Sequence, residues 1–144
     1  MAAFKGKIYN ADDPDLDAMT KLGGKILMHH GWADVGINPL FSIRYLESVE
    51  ARLAAQGAED PQAAAAEILR LYMIPGMVHC RGGVGFDRVD WIAPLMAWVE
   101  DGVAPEAIEG ANAAGATRPH CPYPRRAVWD GEGDPASAAS FACR

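Results

Sequence analysis

The stretch GKILMHHGWADVGINP, residues 24–39, joins two kinds of sequence. Its first half, GKILMHH (24–30), is a short apolar run entered through glycine, the form of a buried strand. Its second half carries the Gly, Asn and Pro of a loop, and an acid, Asp34, within it. Beyond the loop, Leu40, Ile43, Leu46, Val49 and Leu53 recur at mostly three-residue steps, which predicts a helix over 39–55 with one apolar face. Strand, acid-bearing loop and helix make the start of a β-α unit.

The pattern then repeats. QGAEDP interrupts, and Asp60 with Pro61 reads as an N-cap and first helical residue for one or two turns of surface helix in QAAAAE. EILRLYMIPG reads as a second buried strand, stopped by Pro75 and Gly76. Asp87 is placed to cap a second long helix in which Val89, Ile92, Met96 and Val99 share a face, with Gly102 as its C-terminal stop. Pro94 inside that helix implies a kink. From Val103 onward Pro, Gly and Ala dominate without period, which predicts an irregular tail. The expected organisation is therefore an N-terminal segment (1–23), a β-α-β-α portion (24–102) and the tail (103–144).

Consecutive β-α units imply parallel strands joined by right-handed crossovers, with ligands at the carboxyl ends of the strands. Asp34 follows the first strand, and His79, in IPGMVHC, follows the second. Neighbouring strand ends would let the carboxylate accept the imidazole Nδ1–H and hold the ring as a general base. In α/β-hydrolases the chain order is nucleophile, acid, histidine, and the last two stand here in that order.

Composition narrows the function classes. A chain of 144 residues with 50% hydrophobic content suits one globular domain. A net charge of −6, with Arg125–Arg126 as its one pair of adjacent basic side chains, argues against nucleic acid as a partner. No run approaches the roughly 18 apolar residues of a membrane span, and the first twenty residues lack the apolar core of a secretory signal, so the chain reads as soluble. Its three cysteines, Cys80, Cys121 and Cys143, are an odd number, leaving one without a partner if the chain is oxidised.

Three stretches, GGKILMHHGWADVGINPLFSIRYLESV, YMIPGMVHCRGGVGFDRVDWIAPLMAWVEDGVAPEAI and TRPHCPYPRRAVW, resemble the carboxyl-terminal part of the tannase and feruloyl esterase family of serine esterases. The resemblance runs from about residue 10 to the end and implies a partial α/β-hydrolase fold, an ester of a hydroxylated aromatic acid as substrate, and no cofactor. It implies Asp34 as triad acid, His79 as triad base, and Cys80 as half of a disulfide whose other cysteine precedes the nucleophilic serine. It also implies a Cys121–Cys143 disulfide in the tail, and secretion or a periplasmic location for a full-length member.

The chain departs from the family where the nucleophile should be. Its serines are Ser42, Ser48, Ser137 and Ser140; none follows a cysteine or sits in a G-x-S-x-G elbow, and the family's lid region is absent too. The expectation is a chain with the acid and base of an esterase that is inactive alone. Two other classes stay open: a small hydrolase using an unconventional nucleophile, and a non-catalytic remnant or interaction module. In the family's sheet the KILMHH strand has neighbours on both sides, so a chain lacking one of them is expected to self-associate as a homo-oligomer.

Other polar features have plainer readings. His29 and His30 with Asp34 suggest a metal, but adjacent strand residues point to opposite faces. Trp32 is a candidate to line a substrate cleft or to pack beneath its loop. RGGVG (81–85) lacks the lysine of a phosphate cradle and serves better as a turn into the next element. Cys80 as a thiol nucleophile would need His79, its sequence neighbour, to reach it, a geometry adjacent side chains rarely attain.

Overall fold

The computed structural model describes residues 10–144. The first nine residues of the N-terminal segment lie outside the described part. Within the rest of that segment, α1 (Asp17–Thr20) is a single turn tied to the body by Arg52, whose guanidinium meets the carboxylates of Asp15 and Asp17 at 2.8 and 3.2 Å.

Both strands of the predicted β-α-β-α portion form. β1 (Ile26–Gly31) and β2 (Leu69–Ile74) pair in parallel, with Ile26 opposite Leu69 and Gly31 opposite Ile74. The crossover between them consists of α2 (Leu40–Ala55) and α3 (Pro61–Ala66). The three-residue period sets the inward face of α2: Ile43, Leu46 and Val49 are buried with Ala65, Leu69 and Leu71, and Met28 packs against them. Asp60 caps α3 as its sequence position implies, accepting the Ala63 N–H at 2.9 Å ahead of Pro61.

The second helix differs from its expected form. α4 runs Ile92–Asp101, and the segment expected as its first turn instead holds β3 (Arg88–Val89). Asp87 does not cap the helix; its carboxylate accepts the Gly82 N–H at 2.7 Å, while Asp90 accepts those of Ile92 and Ala93. Pro94 therefore falls in the first turn, where an N–H has no intrahelical partner to lose, and no kink results. Gly102 ends the helix in the left-handed conformation, as expected. The face is a further correction. Ile92, Met96 and Val99 are exposed and Trp98 is buried instead, its ring lying 5.4 Å from Lys25 Nζ and 5.6 Å from Arg70 Cζ. Trp98 is the largest side chain of this short helix, and turning it inward buries the indole and brings two cations within reach of its ring.

The tail is not irregular. β4 (Ile108–Ala111) and β5 (Thr117–His120) form an antiparallel hairpin extended by β3, and β6 (Ala127–Trp129) pairs with β7 (Phe141–Cys143). The β4–β5 turn is built by Asn112, whose side-chain oxygen accepts the N–H groups of Ala114 and Ala116 at 3.0 Å each, and by Gly115 at φ 84°. Cys121 and Cys143 are disulfide-bonded, with their Cα atoms 5.6 Å apart. The tail also covers the outer edge of β2: Tyr123 N–H donates to Leu71 O at 2.7 Å, and the Tyr72 hydroxyl donates to Pro105 O at 2.6 Å. Burial pushes the Tyr72 phenol up to about 12, so it remains a donor. On the opposite side, β1 has no strand partner other than β2 among the described residues.

Candidate active site

The two strand-end loops are fastened to each other by the backbone. Trp32 N–H donates to Ile74 O at 2.9 Å and Ala33 N–H to Met77 O at 3.0 Å, so the chain leaving β1 runs on alongside the chain leaving β2. Gly31 permits the approach, since a Cβ there would run into the carbonyls of Met77 and Val78. The second loop is closed on itself by Val78 N–H to Gly82 O (3.1 Å) and Gly85 N–H to Gly76 O (3.1 Å), with Gly82 and Gly83 at φ 84° and 89°. RGGVG is thus the turn that folds the histidine-bearing loop back, and buried Met77 anchors it.

This zipper brings Asp34 and His79 together. Asp34 Oδ2 lies 2.7 Å from His79 Nδ1 across a sequence gap of 45 residues. A carboxylate can only accept, so Nδ1 carries the hydrogen. The other oxygen, Oδ1, accepts the backbone N–H groups of Gly36 (2.8 Å) and Ile37 (3.0 Å) within its own turn. The Ile37 N–H, then the His79 ring and the Gly36 N–H, hold the Asp34 carboxyl well below the usual carboxylate range, outweighing the burial that works against the charge. Asp34 is nearly inaccessible, with 2% of its side chain exposed, whereas 58% of the His79 side chain is exposed. Among the described residues His79 is bonded through Nδ1 only. Its Nε2 is therefore free to exchange a proton with an incoming group.

The remaining candidates separate cleanly. His29 and His30 face opposite sides of β1: the His29 ring stacks on Trp91 at 4.5 Å between centroids, and His30 turns toward Asp34 and Ser42. Trp32 is partly exposed and lines a cleft of about 670 Å³ with Met73, Phe86, Arg118, Tyr123 and Phe141. Cys80 is a free, exposed thiol beside His79. None of the serines is hydrogen-bonded to His79: Ser42 meets His30, Ser48 donates to Tyr45 O, Ser137 accepts the Ala139 N–H, and Ser140 is buried in the tail. In the sequence His30 stands out only for the metal reading. Its four-residue spacing from Asp34 gains meaning only because the turn after Gly31 folds the acid back over the strand.

Comparison with known proteins identifies the chain's family. A family model described as tannase and feruloyl esterase matches residues 5–144. The chain is 40% identical over 142 residues to a mono(2-hydroxyethyl) terephthalate hydrolase of Piscinibacter sakaiensis, covering 94% of this chain and 22% of that protein. It is 39% identical over 145 residues to a probable feruloyl esterase of Arthroderma benhamiae, covering 95% and 26% respectively. Among solved structures, an esterase from Aspergillus oryzae superposes with a TM-score of 0.81 at 32% identity, covering 99% of this chain and 32% of that one. The chain thus spans roughly a quarter of the length of the curated relatives it matches, 22% and 26% of these two. With a match over nearly all its residues and an α/β-type fold shared with solved esterases, the chain belongs to the tannase and feruloyl esterase family.

Proposed function

We propose that this chain carries the acid and base of a serine carboxylic ester hydrolase, and that it forms the carboxyl-terminal β-α units of an α/β-hydrolase sheet. Asp34 is the acid, His79 the base, and esters of hydroxylated aromatic acids are the substrates. The observation that supports this most directly is the 2.7 Å contact between buried Asp34 Oδ2 and His79 Nδ1, with the far side of the ring open.

The chemistry follows from that geometry. Nδ1–H is committed to the carboxylate, so Nε2 carries the lone pair and takes the proton of a serine hydroxyl as its oxygen attacks the ester carbonyl carbon. The imidazolium so formed faces an ionised carboxylate, which stabilises it. When the tetrahedral intermediate collapses, Nε2–H protonates the departing alcohol oxygen. A water then repeats the sequence on the acyl-serine, releasing the acid and regenerating the serine. Asp34 keeps its charge throughout.

The nucleophile comes from outside this 144-residue stretch. Cys80, exposed and unpaired next to the base, is placed to bridge to a cysteine beside that serine and so tie nucleophile and base together. Alone, the chain is inactive and self-associates through the uncovered edge of β1. The test is complementation. The chain alone should neither hydrolyse methyl ferulate or methyl gallate nor label with a fluorophosphonate. Joined to the remaining part of the Arthroderma relative, it should gain activity that His79→Ala lowers by at least about 10³-fold. A joined enzyme indifferent to His79→Ala would dispose of the assignment.

A further inference from the structure

A second imidazole, that of His30, meets Asp34. His30 Nε2 lies 3.2 Å from Asp34 Oδ2 and 3.2 Å from the carbonyl oxygen of Ile37, and His30 Nδ1 lies 2.7 Å from Ser42 Oγ. An ionised carboxylate and a carbonyl can only accept. Both converge on Nε2, so Nε2 carries the hydrogen. In the neutral ring Nδ1 is then a lone pair, and among the described residues the group that satisfies it is the Ser42 hydroxyl, which donates. Proton positions are fixed along a line: Ser42 to His30, His30 to Asp34, with His79 donating to the same Asp34 oxygen from the other side.

That line does something the local turn does not. The bonds from Gly36 and Ile37 fix Asp34 Oδ1 to its own loop, but they do not fasten the loop to the scaffold. His30 stands one residue before the end of β1, and Ser42 in the first turn of α2, so their contact clamps the strand to the helix on either side of that loop. With 11% of the His30 side chain and 2% of the Asp34 side chain exposed, bulk water has little access to replace the bond. Exposed His79 contributes no comparable rigidity.

We propose that His30, its tautomer set by the Asp34 carboxylate and the Ile37 carbonyl and its ring anchored to α2 by Ser42, is a positioning residue that holds the Asp34 carboxylate in the orientation His79 requires; the role rests on the esterase reading above. The same trio has the outline of a serine, histidine and acid relay, from which fluorophosphonate labelling distinguishes it.

Long-range proton–nitrogen correlation on the whole chain labelled with ¹⁵N in its histidine rings reads each tautomer directly at neutral pH. The expected pattern is His30 protonated at Nε2 alone and His79 at Nδ1 alone. Ser42→Ala should leave His30 protonated at Nε2, where Asp34 and Ile37 still demand a donor, but should move its Nδ1 resonance by removing the hydroxyl that donates to it, and Ser42→Thr, which keeps a hydroxyl, should preserve that resonance. His30→Phe should cost His79 its single Nδ1-protonated signature, leaving the averaged signal of an unconstrained ring. Should His30→Phe fail to fold, Ser42→Ala gives the same reading through the weakened His79 signature. Three results overturn the proposal: His30 protonated at Nδ1 in the unaltered chain, a His79 signature untouched in a folded His30→Phe or Ser42→Ala variant, or fluorophosphonate labelling of Ser42, which would make it a nucleophile. None of the ring measurements needs turnover, so a failed complementation leaves them standing, and their failure leaves the esterase assignment standing.

Discussion

At the scale of single residues, the pairing of Asp34 with His79 was legible because strand order and loop position bring the two together. Asp34 follows one parallel strand and His79 the next, and parallel strands put their carboxyl ends side by side. What could not be read was the reason the pair is so close. The backbone bonds from Trp32 and Ala33 into the second loop, and the missing side chain at Gly31, leave no periodic trace in the sequence. The environment of Asp34 leads to a first prediction, for the enzyme completed with a nucleophile. Asp34→Asn keeps the shape but offers an amide where a carboxylate faced the ring, so His79 is no longer held as the Nδ1–H tautomer with its lone pair outward. A fall in kcat of about 10⁴-fold is expected, with KM little changed. Steady-state kinetics at pH 7 decide it, and a loss below tenfold would show that the carboxylate orients nothing.

At the scale of elements, the long signals were read and the short ones were not. β1, β2 and α2 each carry an apolar run or a three-residue period long enough to outweigh alternatives. The tail strands are three or four residues, one contains Pro119, and their order comes from partners distant in sequence and from the Cys121–Cys143 bridge. That bridge closes a separation of 22 residues, so in the chain-entropy view it stabilises by roughly 3 kcal/mol. Reductant should lower the denaturation midpoint accordingly. Alkylation of the folded, unreduced chain should add a single label, at Cys80; three labels in the intact mass would remove the bridge from the account.

The stack of His29, Trp91 and His120 makes a second prediction at this scale. Burial lowers the pKa of His29, with His30 adding to the effect; burial also lowers that of His120, which donates to Phe86 O at 2.8 Å. Because both folded values lie below the unfolded value of about 6.5, the unfolded chain binds more protons in that range. Their contribution to stability is therefore full above about pH 6.5 and lost as pH falls toward the folded values. Asp34 acts in the same direction, but only below the ordinary carboxylate range. Urea midpoints should fall between pH 7 and pH 5, and His29→Phe, which can keep the stack on Trp91, should flatten that slope. A midpoint independent of pH over this interval would contradict the burial of both rings.

At the scale of the whole molecule, the sheet formed by the described residues is protected on one side and open on the other. The tail lies along β2, where Tyr123 bonds to Leu71, while β1 has no second partner among the described residues. The identity of the exposed groups follows from the pairing. Ile26 and Trp32 donate toward β2, to Ile68 and Ile74, so by alternation the amides of Leu27 and His29 point to the open edge. Beside that edge lies a cleft of about 840 Å³ whose lining includes Met28, Ile37, Phe41 and Tyr45, and across the molecule Ile92, Met96 and Val99 form an uncovered stripe on α4. An unpaired strand edge next to apolar surface favours addition of a strand from another chain. A second copy can present the same edge across a two-fold axis, satisfying both deficits in one interface. The 15.4 kDa chain is therefore expected to run as a dimer or larger assembly when light scattering is coupled to size exclusion without reductant, after alkylation of Cys80 has blocked any cross-link through it. Leu27→Pro deletes a donor on the open edge without touching a bond to β2, so it should shift the population toward monomer while the β1–β2 pair survives. Met28→Pro, whose amide faces β2, should instead unfold the sheet. A sharp monomer of the unaltered chain, melting cooperatively at micromolar concentration, would mean that the cleft beside β1 closes over the edge by itself.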